Sequence, residues 1–352
     1  MPSISLVMIV RNEKDNLYEC LESVKNYMDE IVVVDTGSTD NTTEIAKSFG
    51  AKIYNYSWIN NFSDARNFAL NNSTSDWNLI LDADERVTNW NHKKILHYTQ
   101  KNKFIGKIKI NNTFIQNNEE RLSQIYISRL LPRGVFYAGK IHEQVVSDLP
   151  RFELPIEVMH TGYYKTDKSS RNLPILESEL SENPSNPYIL FQLARQYKTL
   201  NRLNEAAEYF RASYKFATGK EEYFSDLVVN FLYTLIDLKQ FYPAFEVIDQ
   251  MDAYLANSPD YQFVRGLFFM NFVLSDTSRN IDFLPLIEKS YLACLELEKK
   301  GEEEIVLGTA SFLAAYNLGV YYEMFNQKDK AKYFYELSAS YDYEPAKKRL
   351  KL

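Results

Sequence analysis

The chain has 352 residues, room for two domains, and its 45% hydrophobic content with only 11 Gly and 11 Pro excludes a fibrous or low-complexity protein. A formal net charge of -7 argues against broad binding to nucleic acid or to anionic membranes. Two cysteines, Cys20 and Cys294, make no disulfide framework; together with the lack of any apolar run near the ~20 residues that span a bilayer, they point to a cytoplasmic protein.

In chain order, Ile4–Val10 reads as a buried strand. Glu13–Met28 follows with Leu17, Cys20, Leu21, Val24 and Met28 at helical spacing, which places Cys20 in a core. Ile31–Val34 is a second strand, ending in Asp35-Thr36-Gly37-Ser38-Thr39-Asp40, a turn with helix-capping chemistry, and Gly50 closes the helix after it. Ala51–Trp58 is a third strand candidate, Ser63 is placed to cap a helix through Leu70, and Trp77–Leu81 is a strand running into Asp82. His92 and His97 fall in a Lys-rich helical stretch and read as surface. Alternating strand and helix predict an α/β domain with a mainly parallel sheet and helices on both faces. Ligands bind beyond the carboxyl ends of such strands, where Arg11-Asn12-Glu13, Asp35–Asp40 and Asp82–Glu85 fall.

From about Arg171 the period becomes helical. Leu193-Ala194, Tyr197, Ala206 and Phe210 occupy the small and aromatic positions of a two-helix tetratricopeptide unit, and Leu318-Gly319, Tyr322, Ala331 and Tyr335 repeat them. Asp226–Asp252 and Pro259–Leu297 read as degenerate repeats between the two. The expected division is a catalytic domain over 1–165, a linker or helix over 166–185 and an all-α repeat domain over 186–352. The basic tail Lys347–Lys351 reads as a solvated end.

The segments Ser5–Glu13, Val34–Asp40, Phe62–Asn67 and Leu81–Glu85, in that order and spacing, resemble the family-2 inverting glycosyltransferases of the GT-A fold, which is Rossmann-like. Gly139-Lys140-Ile141-His142-Glu143 and His160-Thr161-Gly162-Tyr163 extend the resemblance to the branch with tetratricopeptide repeats, similar to the peptide S-glycosyltransferases of the sublancin type. The resemblance implies a nucleotide-sugar donor and Mg²⁺ or Mn²⁺. It places Val10, Asn12, Glu13, Asp35, Gly37, Ser38, Arg66, Asp82, Ala83 and Asp84 around the donor, with Asp82 toward ribose and base. Asp84 is the expected metal ligand and His160 a second. Asp35 would accept from a nucleobase N–H, which favours a UDP-sugar. An inverting displacement needs a base on the acceptor side, and His142 and Glu143 both stand open for it. If they lie in a strand they point oppositely, so only one would face the acceptor.

The expected acceptor is a peptide or protein side chain, Cys or Ser/Thr, with a bacteriocin-like peptide among the possibilities, held on the concave side of the repeats. A cell-surface glycan or lipid-linked sugar is the alternative acceptor, and an inactive peptide-binding scaffold the alternative function. A homodimer through the repeats fits the same composition. Nucleotidyltransferase chemistry would need a glycine-rich phosphate loop after the first strand, which Arg11-Asn12-Glu13 does not provide.

Overall fold

A computed structural model describes residues 1–116, 119–160 and 169–351, which divide into two compact units, Met1–Glu179 and Leu180–Leu352. The expected boundary at 165, and the segment Thr161-Gly162-Tyr163 of the resemblance, lie outside the described residues.

The first unit is built on an eight-stranded sheet in the order β3-β2-β1-β4-β7-β6-β10-β5. Its strands are β1 (Ile4–Val10), β2 (Glu30–Asp35), β3 (Lys52–Asn55), β4 (Trp77–Ile80), β5 (Glu85–Trp90), β6 (Ile105–Gln116), β7 (Glu119–Pro132) and β10 (Arg151–His160). β3, β2, β1 and β4 are mutually parallel, as their β-α-β sequence requires. The far half is mixed: β7 runs antiparallel to β4 and β6, whereas β10 is parallel to β6 and antiparallel to β5. The expected mainly parallel sheet is therefore found, with the antiparallel pairings confined to its far half. A small second sheet pairs β8 (Phe136–Ala138) with β9 (Gln144–Val146).

Strand alternation supplies both faces of the sheet with a core. Ile4, Leu6, Met8 and Val10 pack with Leu17, Cys20, Leu21 and Val24 of α1 (Leu17–Val24), with Ala46 of α2 (Thr42–Ser48) and with Ile95 of α4 (His92–Lys101). Val7, Val32 and Val34 pack on the opposite face with Ala69 and Leu70 of α3 (Phe62–Asn71) and with Tyr137 and Val145 of the small sheet. The cap of α3 is Asn61 rather than Ser63, because the Asn61 side chain accepts from the Asp64 N–H at 3.1 Å. His92 and His97 are exposed, and Cys20 is fully buried. α5 (Ser169–Glu182) carries the division between the units.

The second unit is helical: α6 (Pro187–Thr199), α7 (Leu203–Phe216), α8 (Phe224–Asp237), α9 (Phe241–Met251), α10 (Pro259–Ser275), a short α11 (Thr277–Asn280), α12 (Leu284–Lys300), α13 (Phe312–Met324), α14 (Lys328–Ala339) and α15 (Glu344–Arg349). The turns α6–α7, α8–α9 and α13–α14 share one solution. Asn201, Lys239 and Asn326 adopt positive φ, and the next residue's N–H returns to the carbonyl of Tyr197, Leu235 or Tyr322. Gly319 stands where a Cβ would meet the Tyr335 ring at 2.5 Å, so the small residue of the repeat pattern is a packing requirement. These are tetratricopeptide-like helix pairs, and the two degenerate segments form α8–α9 and α10–α12.

Candidate active site

In the strand order, the chain runs outward from β1 to β2 and β3 and then crosses back to place β4 on the other side of β1. Such a switch point opens a crevice at the strands' carboxyl ends. The loops after β1, β2 and β4 meet there. Asn12, held at φ 56, accepts the Thr39 N–H on its Oδ1 at 2.8 Å, and its own N–H donates to Ser38 Oγ at 3.0 Å. Glu13 N–H donates to Thr42 Oγ1 at 2.7 Å, so the first two loops are clasped together. Asp35 is buried at the end of β2 beside Val10, and its carboxylate accepts the N–H groups of Gly37 and Ser38. Gly37 sits at φ 106, which only glycine reaches without strain. The capping role of Asp35 is thus visible in the structure, with lone pairs left for a further donor.

The tripeptide Asp82-Ala83-Asp84 is a turn, and its two carboxylates are aimed apart. Asp82 pairs with Arg66 Nη2 at 2.7 Å and with Arg129 Nη2 at 3.0 Å. Arg129 also reaches Glu85 Oε1 at 3.1 Å, while Glu85 Oε2 accepts the Asp82 N–H at 2.8 Å. Burial opposes ionisation of Asp82, but the two guanidiniums overcome it and hold its carboxyl well below the usual range. Glu85 is pushed upward by its burial, with Arg129 only partly compensating. Ala83 is buried, and Cys20 lies under the turn with its Sγ 3.5 Å from the Asp82 carbonyl.

Asp84 turns instead to His160, whose Nε2 is 3.3 Å from Asp84 Oδ2. His160 Nδ1 is 2.8 Å from Asn112 Oδ1, so both ring nitrogens face oxygen acceptors. The doubly protonated imidazolium satisfies the two together, and a neutral ring satisfies them only through Nδ1, leaving Nε2 for a metal. Burial lowers the basicity of His160, and the hydrogen bond and charge of Asp84 more than restore it, leaving its pKa raised. A cation belongs between those two atoms, whether a proton or a metal. Among the described residues no group of three or more His, Cys, Asp or Glu is placed to hold an ion alone. The Asp84–His160 pair nevertheless fits a Mg²⁺ or Mn²⁺ that draws its remaining ligands from substrate phosphates and water, with Asn112 orienting the imidazole.

His142 and Glu143 are not in a strand. They occupy the turn between β8 and β9, His142 at φ 50 and exposed, so the expected strand alternation does not apply. The turn separates them all the same. Glu143 is half-buried and its Oε1 takes the Nε–H of Arg66, which links it to the Asp82 cluster. Arg129 and Arg171 are site residues that sequence reading missed. Arg129 is a buried cation inside the apolar run of β7, a pattern that itself signals a paired charge. Arg171 lies on α5 within electrostatic reach of Asp82, Glu13 and Glu143.

The family described as Glycosyl transferase family 2 matches residues 5–143. The chain is 32% identical over 228 residues to the SPbeta prophage-derived glycosyltransferase SunS of Bacillus subtilis, covering 60% of this chain and 53% of that protein. It is 51% identical over 87 residues to a TPR repeat-containing protein of Synechococcus elongatus, covering 25% of this chain and 22% of that one. The solved structure of YrrB, a TPR protein, shares 18% identity over 53% of this chain and 84% of its own, at a TM-score of 0.39. Residues 5–143 are thus similar to the family 2 glycosyl transferases, and tetratricopeptide-like helix pairs follow them in the second unit. The chain spans about half the length of SunS, 53%. Among the described residues no helix is long and apolar enough to cross a membrane.

Proposed function

We propose that the chain transfers a sugar, with inversion, from a nucleotide-sugar donor to a side chain of a peptide or protein. The observation that carries this reading is the meeting of Asp35, Asn12, Asp82 and Asp84 at one strand-end crevice within a family 2 domain. Asp35 and the Asn12–Ser38 clasp bind the nucleoside, with a UDP-sugar favoured because uracil N3–H suits the remaining lone pairs of Asp35. Asp84 and His160 hold Mg²⁺ or Mn²⁺, whose charge offsets that of the departing diphosphate. Asp82, fixed ionised by two arginines, orients the ribose end of the donor.

The acceptor X–H loses its proton to His142 as X bonds to the anomeric carbon, and the pair of the breaking C1–O bond leaves on the phosphate oxygen. Glu143 has one oxygen committed to Arg66, so it serves as an anchor, and His142 is the base. The repeats contribute to acceptor binding. The test is a panel of UDP- and GDP-sugars with candidate peptides, with Mn²⁺ or with chelator, read by release of the nucleoside diphosphate and by peptide mass. Metal-dependent release with a hexose mass gain is expected. No metal-dependent turnover with any donor, alongside tight peptide binding, would identify a scaffold instead.

A further inference from the structure

A groove of about 490 Å³ lies in the first unit, between the Ile59–Asn61 segment ahead of α3, Lys140 of the β8–β9 turn, and the first turns of α5. Its volume is that of a ligand site, within the usual ~300–1,000 Å³. It is separate from the donor crevice, since no residue of the β1, β2 or β4 loops lines it.

The groove is built rather than incidental. Phe62 N–H donates to the Lys140 carbonyl at 2.7 Å, and Lys140 N–H donates to Glu179 Oε1 at 3.1 Å, which fastens all three walls together. It is also coupled to the transfer centre: Lys140 is three residues before Glu143, and α3 carries Arg66 one turn beyond Asn61. Arg171 stands at the junction. Its guanidinium rests 4.9 Å from the Phe62 ring centroid and its Nε–H is taken by Asn172 Oδ1 at 3.0 Å, yet it makes no ion pair among the described residues. The charges of Asp82, Glu13 and Glu143 act on it across space.

The chemistry of the walls is specific. Two cations, Lys140 and Arg171, face the groove with Asn60 and Asn61, while Pro174 and Ile175 give an apolar wall, and no Asp or Glu is among its described lining residues. In a chain of net charge -7 this is a local reversal of sign. Lysine and arginine donate hydrogen bonds and accept none, so they recognise carboxylates better than the hydroxyls of a neutral sugar chain. We propose that this groove is the acceptor subsite and that it selects a peptide with an acidic side chain beside the residue that receives the sugar. This rests on the transfer reading above. An inverting displacement needs the acceptor on the side away from the leaving group, and the groove borders the His142–Glu143 turn, not the donor loops.

The test uses the full chain with UDP and Mn²⁺, titrated into fluorescent hexapeptides that carry a central Cys or Ser flanked by Glu, Gln or Lys, and read by anisotropy. Glu-flanked peptides are expected to bind about tenfold more tightly than Gln-flanked ones, with the advantage shrinking as salt rises. Lys140→Glu and Arg171→Glu are expected to move the preference to Lys-flanked peptides; if either fails to fold, Lys140→Gln and Arg171→Gln should abolish the preference. Equal binding of the three sets, an order unchanged by both substitutions, or tighter binding of a phosphorylated oligosaccharide would overturn the assignment. Release of UDP from UDP-sugars is measured in parallel. Release without a flank preference sinks the acceptor assignment alone, whereas no release from any donor sinks the transfer reading and the assignment with it.

Discussion

One guanidinium joins the Asp82–Glu85 turn to the turn between β8 and β9: Arg66 pairs through Nη2 with Asp82 at 2.7 Å while its Nε–H is held by Glu143. Arg66 is itself buried, its Nη1 has no hydrogen-bond partner among the described residues, and burial works against its charge. The two carboxylates outweigh that cost and raise its pKa, so the guanidinium stays charged in its buried position.

From this bridge the roles of His142 and Glu143 separate. His142→Ala should lower kcat on the order of a hundredfold, with the fold retained because His142 is exposed. Glu143→Gln keeps an oxygen for Arg66 but leaves the cation with less compensation, so its main effect should be on melting temperature and donor KM. Steady-state kinetics of both variants across pH decide the matter. A larger kcat loss in Glu143→Gln than in His142→Ala would exchange the two roles.

Arg129 holds the Asp82–Glu85 turn from the opposite side, with both partners within 3.1 Å and Glu85 almost completely buried. Arg129→Met would leave Glu85 buried without its cation. Breaking such a pair costs about 3–5 kcal/mol, so a marked fall in melting temperature is expected at neutral pH. Acidification should recover part of it, because a protonated Glu85 no longer needs the arginine. A melting temperature as low in acid as at pH 7, relative to wild type, would show that packing rather than charge is at stake.

The sequence exposed the donor edge because each piece of it is local. Ile4–Val10 is one apolar run and one strand, Asp35 and Gly37 share a turn, and Asp82 follows its strand directly. What stayed hidden depends on pairing across long separations. Arg129 meets Asp82 and Glu85 only because β7 inserts beside β4, antiparallel, after a long β6–β7 hairpin. The strand reading of His142-Glu143 failed for a related reason: His142 takes a positive φ, so a turn replaces strand alternation. Asn61 displaced Ser63 as a helix cap because both residues suit the role and only geometry chooses between them.

The Asp84–His160 pair predicts the metal dependence of donor binding. Asp84→Ala should abolish the Mn²⁺-stimulated affinity for UDP, and His160→Ala should weaken it on the order of ten- to a hundredfold. Asn112→Leu, which removes the partner of Nδ1 at 2.8 Å, should fall between wild type and His160→Ala. Calorimetric titration of UDP with and without Mn²⁺ reads all three. Full Mn²⁺ stimulation in Asp84→Ala would remove that residue from the metal site.

The repeat unit offers a prediction with a defined pH window. Lys198 of α6 donates to Asn230 Oδ1 at 3.0 Å, near Tyr233, Asp226 and Asp237 of α8, with Arg195 on its own helix. Burial lowers its pKa from 10.5 to about 8, and the two aspartates do not restore it. With a folded pKa below the unfolded one, the unfolded chain binds more protons between pH 8 and 10.5, so this group's penalty on folding shrinks as pH rises through that window. Lys198→Met keeps the apolar stem and removes the charge. It should therefore stabilise the protein at pH 7, by at most about 3 kcal/mol, with the gain fading toward pH 10.5. Paired thermal melts of wild type and variant across that range test it, and a stability difference independent of pH would show that Lys198 is not titrating in the folded repeats.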